Sequence, residues 1–252
     1  MSGHSKWSTI KHKKAAADAK RGKSFSRISK ELTLATRLGG KDAEMNPRLR
    51  SALLAAKAVN MPNDNIDRAI KKGAGELAGQ VMEEMMFEGY AAGRVGVIVH
   101  CLSDNRNRTA ANIRSAFAKN NGSMAASGAV SWQFHRKSRF MVEAPELTED
   151  KLLEILLEAG ADVENVAFEE GYGEVTGSPE AFANIAKALE AAKIKVSESS
   201  IAMIAENQNE VTEESAARSA TRLIEALEED DDVQAVYHNL SMSDELAGKL
   251  AE

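Results

Sequence analysis

Ten cations near the start of the chain, Lys6, Lys11, Lys13, Lys14, Lys20, Arg21, Lys23, Arg27, Lys30 and Arg37, are suited to one kind of chemistry, the neutralisation of phosphate. Phosphates repeat every few ångströms along a nucleic acid, and a string of flexible cationic groups displaces the counterions condensed on them. Nine Lys and Arg fall within residues 1–30 against a single acid, Asp18. The competing reading of such a run is a solvated helix face with a flexible tail, but the near absence of compensating acid favours phosphate. Trp7 is placed either to stack on a base or to pack back on neighbouring helices. Arg48, Arg50, Lys57 and the pair Lys71-Lys72 are candidates to extend the basic surface, although two lysines in the last turn of a helix are also explained by its dipole.

A second candidate is the run Ser103-Asp-Asn-Arg-Asn-Arg-Thr109, between an apolar strand pattern and a helix pattern. Arg106 and Arg108, close to a helix start, suit a secondary phosphate contact. A turn and N-cap built from Asn, Asp and Ser accounts for the same residues without a ligand.

Other chemistries find little support. His4, His12, His100, His135 and His238 show no metal-ligand spacing. The lone Cys101 falls inside a strand pattern and reads as a buried structural thiol. The glycines at 73, 75 and 79 follow a helix pattern instead of a strand, which excludes a dinucleotide loop, and no Gly-Lys-Ser/Thr phosphate loop is present. The acid-rich stretches, Glu228-Glu-Asp-Asp-Asp232 among them, read as solvated helix ends. The chain is therefore expected to be non-enzymatic, with no cofactor, metal or small-molecule substrate.

Charge divides the molecule. Residues 1–75 hold 17 of the 32 Lys and Arg and 6 of the 38 Asp and Glu, a net of +11. The remaining 15 bases and 32 acids give −17, so the overall −6 describes neither part. A positive end on a negative body is drawn to polyanions by one end only. The partner expected there is nucleic acid, with a protein partner possible on the acidic body. A single cysteine fits a reducing compartment. No apolar run approaches the ~20 residues of a membrane helix, and the first residues lack the apolar core of a secretory signal. The cytosol is expected.

The elements that must position these residues follow from periodicity. Phe25, Ile28, Leu32 and Ala35 recur at helical spacing and Gly39-Gly40 ends the run. On a helical wheel Lys23, Arg27, Lys30 and Arg37 share an arc of about 80° opposite that apolar face. Asn46 as N-cap with Pro47 opens a second helix, faced by Leu49, Leu53, Ala56 and Val59. Pro62 permits a third, faced by Ile66, Ala69 and Ile70. Beyond residue 80 strands are expected at 85–90, 95–102 and 128–134, with a helix over 108–119. Residues 140–205 then read as a βαββαβ series, the ferredoxin-like order. A helix at 213–227 and a strand at 233–238 are left over, and they complete the earlier segment. The fold class expected is α+β: an amino-terminal three-helix domain over 1–79, a split α/β domain over 80–135 plus 206–252, and a ferredoxin-like α/β domain over 136–205 inserted within it.

Several blocks carry a family resemblance. Gly3-His-Ser-Lys-Trp7, Lys13-Lys-Ala-Ala-Ala-Asp-Ala-Lys-Arg-Gly-Lys23, Leu38-Gly-Gly40, Asn46-Pro-Arg-Leu-Arg50, Asn60-Met-Pro62, Arg68-Ala-Ile70, Cys101–Thr109 and Val236-Tyr-His-Asn239 occur in order along the chain. Together they resemble the YebC/PmpR family. The resemblance implies three domains, the third inserted in the second, and a cytoplasmic DNA-binding transcriptional regulator. Related members, including the mitochondrial translational activator of cytochrome c oxidase subunit I, act on translation, and some bacterial relatives are linked to ribosomes stalled at proline-rich stretches. The alternative implied is thus a ribosome-associated translation factor that binds ribosomal RNA. The family's basic arm corresponds to Lys6, Lys11, Lys13, Lys14, Lys20, Arg21 and Lys23, and its Asp-Asn-Arg-Asn-Arg block to Asp104–Arg108. One departure is visible: where many members carry a Gly-Tyr-Gly-Pro-Gly-Gly turn, this chain reads Gly89-Tyr-Ala-Ala-Gly-Arg94.

Overall fold

A computed structural model describes residues 17–78, 81–169 and 171–251. Three helices come first: α1 (Ala17–Gly39), α2 (Pro47–Ala58) and α3 (Asn63–Gly73). Their facing side chains are the periodic ones, since Leu32, Ala35, Leu49, Ala52, Ala56, Ile66 and Ala69 form one buried cluster, with Phe25, Ile28, Leu53, Val59 and Ile70 packed at its edge. Asn46 ties the first two helices together. Its Oδ1 accepts the Leu49 amide at 3.1 Å, capping α2, while its Nδ2 donates to the carbonyls of Ala35 (2.8 Å) and Gly40 (2.9 Å) at the end of α1. The α1–α3 approach is close enough to require glycine: a Cβ at Gly73 would lie 2.3 Å from the Thr33 carbonyl oxygen and 2.7 Å from Thr36 Cβ.

An antiparallel sheet follows, with β1 (Glu83–Ala91), β2 (Val95–Ser103), β3 (Ser123–Ala125) and β9 (Val233–His238) in the order β3-β1-β2-β9. The helices α4 (Arg106–Lys119) and α7 (Glu214–Glu229) lie on one face of it. Val95, Val97, Val99 and Cys101 of β2 alternate inward and meet Ile113 and Phe117 of α4 and Ala220, Leu223, Ile224 and Leu227 of α7. Strand pairing therefore joins the chain before residue 134 to the chain after 205 in one core. Burial pushes the Cys101 thiol up to about 12, with Asp230 and Asp232 adding to the effect, so it packs as an apolar side chain.

The intervening chain makes a sheet of its own from β4 (Phe134–Glu143), β5 (Asn165–Glu169), β6 (Tyr172–Gly177) and β7 (Lys195–Ala205), ordered β5-β6-β4-β7. With α5 (Glu149–Glu158) after β4 and α6 (Phe182–Ala191) after β6, this is the ferredoxin-like βαββαβ arrangement. Phe140, Val142, Leu152, Leu156, Val175, Ile185 and Leu189 belong to a separate core. By compactness the described residues divide into two units, 135–204 and 17–134 with 205–251. The remaining elements are a two-stranded parallel pair, β8 (Asn209–Glu210) with β10 (Leu240–Ser241), and α8 (Asp244–Ala251).

The segment expected as a strand over 128–134 is different. Only Phe134 joins one, and residues 126–133 form a loop and a short helical turn. The cause is Glu88, only 5% exposed on β1, whose carboxylate accepts the amides of Gly128 (2.8 Å), Val130 (2.7 Å) and Ser131 (2.9 Å). Amides that pair with a side chain are withdrawn from a sheet ladder.

Candidate nucleic-acid interface

The ten cations fall into three groups. Lys6, Lys11, Lys13 and Lys14, with Trp7, lie outside the described residues. Lys20 and Arg21 lie in the early turns of α1, and Arg37 is exposed in its last turn. Lys23, Arg27 and Lys30, at positions i, i+4 and i+7 of α1, are brought together on a single target. That target is the turn that ends α7 and leads into β9. Lys23 Nζ donates to the Glu229 carbonyl and Arg27 Nη2 to the Glu228 carbonyl. Lys30 Nζ donates to the Asp231 carbonyl at 2.7 Å, and to the Leu102 carbonyl and Asp232 Oδ1, both at 3.3 Å.

The basic arc of α1 is therefore not an open surface over these three residues. Lys23 and Arg27 cap the carboxyl-terminal end of α7, where the last carbonyls of a helix have no intrahelical donor and carry its partial negative charge. Lys30 holds the turn just beyond it. Burial lowers the Arg27 guanidinium from its ordinary pKa, and the carboxylates of Glu228 and Asp231 oppose the fall. The acid run 228–232, expected as a solvated helix end, is the surface on which the basic helix rests. A helical wheel separates polar from apolar faces but does not tell solvent from a second element about 200 residues further along the chain.

Asp232, 6% exposed, is the centre of this contact. Its carboxylate accepts Thr109 Oγ1 at 2.8 Å and Arg108 Nη2 at 2.9 Å, besides Lys30. Burial alone would raise its pKa; hydrogen bonds from Arg108, Thr109, Ser103 and Lys30 outweigh that and hold it below the usual carboxylate range. Arg108 also donates to Ser103 Oγ and Asp104 Oδ1, each at 3.0 Å. The 103–109 run is thus a capped turn, with Asn105 Oδ1 accepting the Arg108 amide. Both of its arginines are exposed, but Arg108 is bound to carboxylates of the same molecule.

The other basic candidates divide in the same way. Arg48 forks onto Glu31, with Nε to Oε1 at 2.6 Å, and reaches Glu84 on β1 at 3.0 Å. The Glu31 hydrogen bond raises its pKa despite burial. Glu84 also takes a 2.7 Å hydrogen bond with His100 Nε2. That bond, with Arg48, holds the Glu84 carboxyl at about 2 against burial. Arg50 donates to the carbonyls of Ala43 and Glu44. Lys57, Lys71 and Lys72 are exposed. Among the described residues no group of three or more His, Cys, Asp and Glu could hold a metal, and no helix is long and apolar enough to cross a membrane.

Comparison with known proteins settles the lineage. Residues 5–76 match the family described as "TACO1/YebC protein N-terminal domain", and residues 82–240 match "TACO1/YebC second and third domain". The chain belongs to the TACO1/YebC family. A relative named "Probable transcriptional regulatory protein" from Desulfotalea psychrophila is 52% identical over 252 residues, covering all of both chains. A Geobacter sulfurreducens protein of the same description is 49% identical, with 99% of this chain and all of that one covered. The crystal structure of a conserved hypothetical protein from Aquifex aeolicus superposes with a TM-score of 0.86 at 44% identity, covering 94% of this chain and 97% of the other.

Within this YebC-family fold, the departure noted at 89–94 falls on the β1–β2 hairpin turn. Gly93 and Arg94 both adopt left-handed backbone, at φ 73° and 61°. The arginine takes, without glycine's freedom, a conformation that costs an L side chain roughly 1–2 kcal/mol.

Proposed function

We propose that this protein is a non-enzymatic, cytosolic regulator of gene expression, most simply a DNA-binding transcriptional regulator, that grips phosphate backbone through its amino-terminal end. The observation that carries this reading is the charge division, +11 on residues 1–75 against −17 on the rest. The names borne by its relatives support the regulatory part. In this reading the chain works as three parts, 1–79, 80–135 plus 206–252, and 136–205, and the first makes the main contact with the nucleic acid. Lys6, Lys11, Lys13, Lys14, Lys20 and Arg21 make the primary contact. Lys23, Arg27, Lys30 and Arg37 stand behind them on α1, with Arg106 as a secondary contact. Arg108 is assigned to holding Asp232.

Six cations on duplex DNA give a slope of log K against log salt of about −5. A titration of the full chain with mixed-sequence duplex across a salt series tests this, and an affinity indifferent to salt removes it. The sequence of the amino-terminal helices carries no base-reading pattern, so scrambled duplexes are expected to bind about equally. Retention on DNA set beside cosedimentation with ribosomes at matched salt separates DNA from ribosomal RNA as the working ligand.

A further inference from the structure

Lys23 and Arg27 differ from Lys30 in how they are held. Lys30 is inside the contact, shared among Asp231, Asp232 and Leu102, with a side chain 18% exposed. Lys23 and Arg27 each reach one main-chain carbonyl, Lys23 at the exposed edge of the contact and Arg27 part-buried, and among the described residues neither bonds a carboxylate there. The oxygens they meet, backed by the carboxylates of Glu228 and Asp231, present to a cation much what a nucleic-acid backbone presents: partial and full negative charge in a short row. Rotating these two long side chains from carbonyl to phosphate requires no movement of α1, because Lys30 and the Arg48–Glu31–Glu84 bridge hold the helix in place.

We propose that the turn 228–232 is an internal competitor for nucleic acid: it masks Lys23 and Arg27 in the free chain and releases them when phosphate arrives, with Lys30 and Asp232 as the fixed anchor. This rests on the phosphate-binding function proposed above and adds to it a built-in threshold. The Lys23 contact is exposed, and such contacts are individually weak and screened by salt. Arg27 is part-buried, and moving to phosphate relieves the burial that disfavours its charged guanidinium. Both can therefore be exchanged while Lys30, held by a carboxylate as well, stays. It lowers affinity for isolated or short anions, which engage too few cations to displace the turn, and it favours long polyanions already held by the residues before Lys23.

The test uses the full chain and mixed-sequence duplex DNA. Glu228→Gln with Asp231→Asn removes two charges from the turn; Glu180→Gln with Glu190→Gln removes two from the inserted unit and serves as the control. The turn variant is expected to bind about threefold tighter or more, with the control close to wild type. Adding Lys23→Ala and Arg27→Ala should abolish the difference between the turn variant and its parent. In the unsubstituted chain, amide exchange over the last turn of α7 and residues 228–232 should rise when DNA binds, since two of its caps are withdrawn. An equal gain in turn and control variants, or exchange at 228–232 that stays level or falls on binding, overturns the mask while leaving DNA binding intact. No retention of DNA by any of these proteins at low salt overturns both.

Discussion

Asp232 shows how much one buried carboxylate organises here. It is the acceptor shared by Lys30 of α1, Arg108 and Thr109 of α4, and it sits at the entry to β9. Asp232→Asn removes the charge and turns an amide towards donors. Either Thr109 or Lys30, which bond different oxygens, then faces that amide instead of an acceptor. With the charge also lost to Arg108 and Lys30, we expect a loss of about 2–3 kcal/mol, read as a lower midpoint in chemical unfolding. An unchanged midpoint would mean the cluster is incidental. Glu84 makes a titratable counterpart. Its carboxyl is held at about 2 in the folded chain, below the ~4.3 of a free glutamate. The stabilisation it provides is therefore complete above about pH 4.5 and lost as pH falls towards 2. Thermal melts of wild type and Glu84→Gln should differ at neutral pH and converge over that acid range; curves that stay parallel throughout would contradict the assignment.

At the scale of elements, much was legible from spacing. The apolar positions of all three amino-terminal helices fall in one core, and Asn46-Pro47 starts α2 as capping chemistry requires. The βαββαβ order also follows from alternating periods. What was not legible shares one physical cause: a polar partner distant in sequence. Residues 128–133 alternate like a strand, yet the buried Glu88 claims their amides. Lys23, Arg27 and Lys30 read as part of an open basic surface for phosphate, yet Lys23 and Arg27 cap α7 and Lys30 holds the turn after it. Both outcomes depend on a side chain finding backbone groups, which no local period records. The α1–α3 crossing offers a test where local and tertiary effects oppose each other. Helix propensity favours Ala over Gly by about 1 kcal/mol, but a Cβ at Gly73 would press on Thr33 and Thr36. Gly73→Ala is expected to destabilise by roughly 1–3 kcal/mol, and a raised melting temperature would show that the crossing is looser than described.

Over the whole molecule, the opposed charges serve two purposes. Part of the positive end neutralises the acid turn of the body, through Lys23, Arg27 and Lys30, and so helps hold α1 against the sheet unit. The cations that precede them are the ones left to a polyanion in the function proposed, while the acidic remainder of the chain repels nucleic acid and keeps the contact at one end. The most direct measurement compares duplex-DNA binding by the full chain with binding by a full-length variant in which Lys6, Lys11, Lys13, Lys14, Lys20 and Arg21 are all glutamine. Affinity should fall by about a hundredfold or more and the salt slope should become shallower by about 5. If the variant holds DNA as tightly as its parent, with the same slope, phosphate recognition does not reside in these side chains.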